Sequence, residues 1–255
     1  MKTERKNGSL YTSINDKVAT VEFGHPAGNS FVLEMLDRFA DEVQRLSAND
    51  AISVIVLKSE GDRAFCGGAS FDELTAISNL EEGTVFFSGF AKVINAMREC
   101  KKVIVGRVQG KTVGGGVGLV AACDYVFATE AASVRLSELS IGIAPLVIEP
   151  AVARKIGTAA LSEMSLSPVE WKSAYWAQEK GLFSKVFDNI KELDRELDFF
   201  AAQLSYYNPR ALSEWKMVLW EGTEHWNVLL IERAAITGEL VLSEFTKNAL
   251  SKFKK

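Results

Sequence analysis

Cysteine and histidine are scarce in this sequence, which has three cysteines and two histidines among 255 residues. Cys66, Cys100 and Cys123 lie far apart and form no C-x-x-C motif, so we expect buried, reduced thiols rather than a disulfide or zinc framework. His25 and His225 stand at opposite ends of the chain, away from acids at metal-ligand spacing, which leaves a metal site without support. A G-x-S-x-G motif is also missing, so a serine hydrolase of that type is not predicted.

The sequence also has no excess of basic residues and no long apolar run. The formal net charge is -4, and nucleic acid is not an expected partner because phosphate binding needs clustered lysine and arginine. The opening MKTERKNGSL is charged without an apolar stretch, and no later segment reaches about 18 consecutive apolar residues, so neither secretion nor membrane association is expected. With 47% hydrophobic and 24% charged residues, the composition is that of a globular protein, and we predict a cytoplasmic location.

What is present begins with hydrophobic patterns in the order ββαβ. Residues 9–23 alternate as two strands around a turn at Asn15 and Asp16, which predicts a hairpin. Asn29 and Ser30 then precede apolar residues at helical spacing, which predicts a helix capped at that point. The run ISVIVLKS at 52–59 is almost continuously apolar, as in a strand buried on both faces.

Two glycine-rich turns follow. The first, at 67–68, leads to Ser70 and Glu73, a capping box whose helical pattern continues to about residue 100 with interruptions near 79 and 83. The run KKVIVGRV predicts a buried strand before the second turn at 110–118, and LVAACDYVFA after it predicts a short helix that runs into a strand.

Beyond Pro168 the patterns become mainly helical. Ser167 and Glu170 form a second capping box that predicts a helix ending near Gly181, and SKVF at 184–187 predicts a last short strand. Three or four helices are expected from about residue 190, with breaks near residues 208, 222 and 238. We therefore predict an α/β core over residues 1–190 and a helical region for packing and oligomerisation over residues 191–255.

The two glycine-rich turns are candidate anion sites, because each places backbone N–H groups at the start of a helix. For either turn alone, a purely structural tight turn is the alternative. Nucleotide motifs fail on spacing. Three residues separate Gly106 from Gly110 where a P-loop needs four, and Leu119 stands where a G-x-G-x-x-G pattern beginning at Gly114 needs glycine. Neither nucleotide hydrolysis nor a dehydrogenase is therefore predicted.

Several segments, taken in order, resemble the enoyl-CoA hydratase/isomerase (crotonase) superfamily. They are RAFCGGA at 63–69, VQG to GGG across 108–116, ACD at 122–124 and SELSIGIAP at 137–145, with weaker similarity at Asn29 and Phe253. The resemblance implies an α/β fold, a spiral of ββα units with a C-terminal helical region. It also implies an acyl-CoA thioester substrate in fatty acid metabolism, with coenzyme A as part of the substrate and no tightly bound cofactor. Members commonly assemble as trimers or dimers of trimers.

The resemblance also implies catalytic positions. The N–H groups of Ala69 and Gly115 match the family's oxyanion hole, and Glu138 matches a catalytic carboxylate. Gly118 stands where two-acid hydratases of the family carry another glutamate. One carboxylate suffices to carry a proton between two carbons, whereas hydration conventionally uses two carboxylates around a water molecule. Glu149 is either a second acid or a solvated or capping carboxylate at a helix start.

Candidate contacts to coenzyme A follow from the same motifs. They are His25, Ala27, Gly67, Gly68, Phe71 and Gly114. The family frequently has Arg-Pro where this sequence has His25 and Pro26, so this end of the coenzyme site departs from the pattern.

Three functional hypotheses are open. The first is Δ3 to Δ2 double-bond isomerisation of an enoyl-CoA, with hydration of 2-enoyl-CoA close behind. The second is decarboxylation or thioester hydrolysis of an acyl-CoA on the same fold, and the third is a non-catalytic acyl-CoA-binding subunit. The bulky Leu146, Val147 and Ile148 after Pro145 look more like the isomerases, and they favour the first hypothesis.

Overall fold

The computed structural model describes residues 7–252, and this part of the chain forms two sheets surrounded by helices. The strands are β1 Ser9–Asn15, β2 Val18–Gly24, β3 Val54–Ser59, β4 Ala64–Cys66, β5 Val103–Val108, β6 Lys111–Val113, β7 Tyr125–Thr129, β8 Ser133–Arg135, β9 Lys172–Ser173 and β10 Lys185–Phe187. The helices are α1 Leu33–Ser47, α2 Phe71–Ala76, α3 Leu80–Glu99, α4 Gly115–Ala122, α5 Glu149–Leu166, α6 Ala174–Glu179, α7 Ile190–Ser205, α8 Pro209–Leu219, α9 Trp226–Val241 and α10 Glu244–Ser251. A 3₁₀ turn spans Glu138–Ile141.

The chain winds as a spiral in which the strands from β3 to β8 alternate between the two sheets. The order of the first sheet is β1-β2-β3-β5-β7-β10, and that of the second is β4-β6-β8-β9. Strands β3, β5 and β7 pair in parallel in the first sheet, while β4, β6 and β8 pair in parallel in the second. The predicted ββα spiral is confirmed. Because β4 and β6 are neighbours, the glycine turns that follow them lie side by side.

The predicted hairpin and the predicted buried strand are both present. Strands β1 and β2 pair antiparallel, and Asp16 in the turn has φ 52°. In β3, Ile55 and Leu57 belong to the main core, whereas Val54 and Val56 pack in a second cluster that includes residues of α7. Both faces of the first sheet are thus covered, which explains why the β3 sequence is apolar at successive positions.

The prediction that the first helix is capped at Asn29 or Ser30 is wrong. Its N-cap is Val32, which supplies no side-chain hydrogen bond. The Asn29 amide instead donates to the carbonyl oxygens of Glu60 and Ala64, both at 2.9 Å. A side chain that joins two loops in this way is unavailable to the helix.

The capping box at Ser70 is half confirmed. The Ser70 hydroxyl accepts from the Glu73 N–H at 3.4 Å, but the Glu73 carboxylate accepts from the Leu33 N–H at 2.7 Å instead of returning to Ser70. The second capping box is wrong. Ser167 ends α5 as its C-cap, and the next helix, α6, is capped by Ser173. The predicted stop at Gly181 (φ 87°) and the strand β10 are present.

Helices α7 to α10 cover the C-terminal part of the described chain. The break predicted near residue 208 is present, since Asn208 caps α8, but the break predicted near Gly238 is wrong because this glycine lies inside α9. A Cβ placed on Gly238 would lie 2.8 Å from the carbonyl carbon of Gly83 in α3. Both glycines therefore permit a close helix crossing, and neither interrupts its helix.

The predicted division at residue 190 coincides with the start of α7, although residues 1–6 and 253–255, including Phe253, lie outside the described range. Trp220, Trp226 and Leu230 belong to the same hydrophobic cluster as the sheets. The helical end is accordingly packed on the α/β part.

Cys66, Cys100 and Cys123 are free and buried, as predicted. Across residues 7–252, no helix combines the length and the apolar character required to cross a bilayer.

Candidate active site

A pocket of about 400 Å³ lies where the two glycine turns meet the 3₁₀ turn and the start of α5. Its lining includes the three predicted catalytic positions, Ala69, Gly115 and Glu138, together with four of the predicted coenzyme contacts, namely Gly67, Gly68, Phe71 and Gly114. The apolar wall consists mainly of Leu74, Phe87, Phe90, Ile141, Ile143, Leu146, Val147, Ile148, Pro168 and Val169. Thr237 of α9 also lines the pocket, so the structure gathers residues from six separate segments around one space.

The backbone at Ala69 leaves an N–H group free for a ligand. The Phe31 N–H donates to the Gly68 oxygen and the Ser70 N–H donates to the Phe31 oxygen, both at 2.8 Å. Since successive N–H groups of an extended chain point to opposite sides, the Ala69 N–H points away from Phe31. It has no backbone or side-chain acceptor among residues 7–252.

Gly115 offers a second N–H group at the start of α4. The preceding Gly114 has φ 52° and ψ −120°, a conformation that glycine adopts readily and other residues rarely do. Its own N–H donates to the Arg135 oxygen at 3.0 Å. The first N–H groups of a helix have no partner within the helix, and that of Gly115 meets no acceptor elsewhere in the described structure.

The two turns that carry these N–H groups are in contact. A Cβ placed on Gly68 would lie 3.0 Å from the Val113 oxygen and 3.9 Å from the Gly115 nitrogen. Only the absence of a side chain at Gly68 permits this approach. Ala69, the next residue, and Gly115 therefore lie on adjoining turns of the same pocket.

Glu138 places its carboxylate beside the second turn. A Cβ on Gly114 would lie 2.7 Å from Glu138 Oε1. The residue as a whole is part-buried, but its Oε2 is fully buried and has no hydrogen-bond partner within the described range. Burial raises the pKa of Glu138 to about 7, against the opposing effects of its own N–H, the positive charge of Arg135 and the Ser137 N–H. A carboxyl group with this pKa can both accept and release a proton near neutral pH.

An isoleucine fills the space beside Gly118, where the two-acid family members carry a glutamate. A Cβ on Gly118 would lie 2.7 Å from the Cβ of Ile148, closer than real side-chain contacts allow. Glu149 does not supply the missing acid, because its carboxylate accepts a hydrogen bond from Arg233 and it is absent from the pocket lining. Among the described residues that line the pocket, Glu138 is the only acid.

The remaining two predicted coenzyme contacts, His25 and Ala27, lie in a loop next to the first glycine turn. The Gly67 N–H donates to the Gly28 oxygen at 2.9 Å, and the Ala27 N–H donates to His25 Nδ1 at 3.1 Å. Neither His25 nor Ala27 lines the pocket. The structure therefore places both residues beside the pocket rather than in it.

Phe90 and Arg135 are among the pocket residues that the sequence analysis did not single out. Phe90 packs so closely on Gly115 that a Cβ there would lie 2.8 Å from its Cδ1, and Arg135 brings a cation into the lining. Phe90 carried only the helical apolar pattern of α3. Arg135 gave a usable signal, since it is a charged residue three positions before the motif glutamate in a short strand.

Comparison with known proteins matches the chain to one family. The sequence model of the family described as enoyl-CoA hydratase/isomerase matches residues 13–237, well over half of the chain. The chain is 27% identical over 208 residues to the peroxisomal Delta(3,5)-Delta(2,4)-dienoyl-CoA isomerase of Arabidopsis thaliana, covering 77% of this chain and 74% of that protein. It is 24% identical over 249 residues to a probable enoyl-CoA hydratase of Bacillus subtilis, covering 96% and 95%.

The fold also matches solved structures. The crystal structure of enoyl-CoA hydratase from Bacillus halodurans superposes with a TM-score of 0.87 at 20% identity, covering 95% of this chain and 99% of that one. At this identity the match shows the fold alone.

Proposed function

Because this chain belongs to the enoyl-CoA hydratase/isomerase family, we propose that it moves the double bond of an enoyl-CoA thioester from Δ3 to Δ2, with Glu138 as the sole proton carrier. The observation that carries this proposal is the combination of one carboxylate, Glu138, whose Oε2 has no partner among the described residues, with an apolar contact between Gly118 and Ile148 in place of a second acid.

In this mechanism the thioester oxygen accepts hydrogen bonds from the N–H groups of Ala69 and Gly115. Ionised Glu138 removes a proton from C2 of the 3-enoyl group, and the electron pair of the broken C–H bond delocalises onto the thioester oxygen. Glu138 then returns the proton to C4, which leaves the double bond between C2 and C3 and Glu138 ionised again. Fixed N–H donors stabilise the intermediate because negative charge collects on the oxygen that they contact.

The pKa of Glu138 suits this cycle. A base whose pKa of about 7 lies near the working pH is substantially ionised, and its conjugate acid still donates readily. An ordinary glutamate with a pKa near 4.5 would be a weaker base toward a carbon acid. The buried Oε2, without a competing hydrogen bond among residues 7–252, remains available for the substrate carbon.

Hydration of a 2-enoyl-CoA is the second candidate, and the same observation disfavours it. Water addition needs groups that hold and activate the water molecule, but Ile148 is apolar and Glu149 is engaged by Arg233. Decarboxylation, thioester hydrolysis and acyl-CoA binding without catalysis are further alternatives on this fold, and product analysis separates them.

The test supplies purified protein with 3-enoyl-CoA and trans-2-enoyl-CoA in separate reactions, followed by absorbance and mass spectrometry. Isomerisation converts the first substrate to the second without a change in mass, whereas hydration adds the mass of water. The matched control is Glu138→Gln, which should retain thioester affinity and lose turnover. Rapid water addition to the 2-enoyl-CoA, or turnover that survives in Glu138→Gln, contradicts the proposal.

In this proposal coenzyme A enters the reaction as part of the substrate. The protein assembles as a homotrimer or a dimer of trimers and acts in the cytoplasm. Exposed aromatic and aliphatic side chains on α7, α8 and α9 support assembly, since Phe199, Trp215, Met217 and Val228 are each more than 60% exposed in the single chain. Light scattering coupled to gel filtration tests this, and a monomeric mass would contradict it.

A further inference from the structure

Arg135 is the only cation among the described residues that line the pocket. It is the last residue of β8, and its backbone oxygen accepts from the N–H of Gly114, in the second glycine turn. Arg135 therefore lies beside the turn that carries the Gly115 N–H group, and it lines a pocket whose walls are mainly apolar.

The Arg135 side chain has no anionic partner in the part of the chain that the structure describes. Its Nε is buried and meets no acceptor, and it forms no ion pair. Its guanidinium instead lies over the ring of Trp171, at 4.5 Å from the centroid. Such a contact holds the planar group in place without neutralising it.

The acids that pair with Lys172, the residue after Trp171, form no ion pair with Arg135 in the described structure. Glu163 and Glu170 contact the Lys172 ammonium group at 2.8 and 3.0 Å. Glu138 feels the charge of Arg135, which lowers its pKa against the effect of burial, but its buried Oε2 remains unpaired. The pocket thus contains a buried donor and a buried acceptor that do not bond to each other.

A buried guanidinium N–H without an acceptor is costly, and a carboxylate is the group whose geometry and charge match it best. We infer that Arg135 binds a carboxylate carried by the acyl group, so that the preferred substrates are mono-coenzyme A thioesters of dicarboxylic acids. This inference rests on the proposed function, because it assumes that the acyl chain occupies this pocket. It names the substrate class for that site.

The test measures binding rather than turnover, so that it can fail independently of the proposed reaction. Isothermal titration calorimetry compares saturated thioesters matched in carbon number, adipoyl-CoA with hexanoyl-CoA and succinyl-CoA with butyryl-CoA. None of them has a double bond to move. A charge-assisted hydrogen bond in a part-buried site corresponds to roughly a tenfold to hundredfold gain in affinity, so the dicarboxylic thioesters should bind more tightly by that factor.

The variant Arg135→Gln should abolish this preference while leaving the affinity for hexanoyl-CoA nearly unchanged. Its matched control is Lys111→Gln. Lys111 also lies over Trp171, at 5.1 Å, but it is exposed and does not line the pocket, so its loss should leave the preference intact. If Arg135→Gln does not fold, Arg135→Lys serves in its place, and it should reduce the preference because lysine lacks the two-pronged donor geometry.

Equal affinity of the wild-type protein for both members of each pair overturns the inference and leaves the proposed function standing. Two other results have the same meaning. If Arg135→Gln weakens binding of both thioesters of a pair equally, Arg135 contacts the coenzyme A part of the ligand. If the variant instead changes the oligomeric state, Arg135 belongs to a subunit contact. If no thioester binds, both proposals fail.

Discussion

The contact between Gly118 and Ile148 predicts what is needed to give this pocket a second acid. In Gly118→Glu, the new Cβ would lie 2.7 Å from the Cβ of Ile148, which is 4% exposed and has little room to move. Overpacking of this kind costs about 1–3 kcal/mol. The single variant should therefore lose about that much unfolding free energy and gain no hydratase activity.

The double variant Gly118→Glu, Ile148→Gly should behave differently, because glycine lacks the Cβ and Cγ2 atoms of Ile148 that a Cβ at position 118 would meet. Ile148→Gly alone leaves a cavity and costs at least about 2–5 kcal/mol, but the glutamate side chain in the double variant occupies part of that space. The two changes should therefore couple favourably in a double-mutant cycle. Hydration of trans-2-enoyl-CoA should rise at least about tenfold, since one well-placed acid or base contributes roughly 10²–10⁴-fold.

Urea unfolding measures the stabilities, and mass spectrometry of the trans-2-enoyl-CoA reaction measures the hydration. The control is Gly118→Gln, Ile148→Gly, which has the same shape without the carboxylate. The reasoning is refuted if Gly118→Glu alone is as stable as the wild-type protein, because the close contact would then be absent. It is also refuted if the Glu and Gln double variants hydrate at the same rate.

Three other predictions follow from charges and close contacts. The rate of isomerisation should rise with pH through about 7, because the base is ionised Glu138. The free energy of unfolding should fall by about 1–3 kcal/mol as pH rises from 4.5 to 7, because the pKa of Glu138 is higher in the folded protein than in the unfolded chain. Lys216→Met should lower the free energy of unfolding by about 3–5 kcal/mol, because it leaves the buried Asp124 without the ammonium group that lies 2.9 Å from its carboxylate. Gly238→Ala should destabilise the fold by about 1–3 kcal/mol, since the new methyl group meets the Gly83 backbone at 2.8 Å.

Matched variants check these outcomes. Glu138→Gln should be more stable than the wild-type protein at pH 8. Its unfolding free energy should also lack the pH dependence that the Glu138 carboxyl group causes. The exposed Lys247→Met and Glu239→Ala should each change the unfolding free energy by less than about 0.5 kcal/mol. A flat pH–rate profile across neutrality, or a Gly238→Ala variant as stable as Glu239→Ala, contradicts the corresponding prediction.

Local chemistry explains which elements could be predicted from the sequence. The β3 run and the Ser70 cap depend on neighbouring residues, so their patterns are visible along the chain. Gly238 was misinterpreted because a glycine in a helical pattern fits both a break and a close crossing. The partner that decides between them, Gly83, lies in a distant helix. Ser167 had the residue spacing of a capping box, but spacing does not reveal that α5 ends there.

Some features of the candidate site could likewise be predicted from the sequence, whereas others depend on residues distant in the chain. The motif spacing placed Ala69, Gly115 and Glu138 in the chain, and the structure brings them around one pocket. The pKa of Glu138 depends instead on which groups exclude water from it, and that burial comes from segments far apart in sequence. The surroundings of Arg135 likewise depend on a residue distant in the chain, since its guanidinium lies over the ring of Trp171.

The loss of one acid and the raised pKa of the other have a common physical basis. Two carboxylates that share a site titrate as a coupled pair, and the proton that they share keeps one of them ionised at low pH. With Ile148 packed against Gly118, Glu138 has no such partner, and the apolar wall disfavours its charge by desolvation alone. A single group that both gains and loses its proton near pH 7 fits a reaction in which the same proton leaves one carbon and arrives at another. It fits less well a reaction in which a water molecule must be held and split.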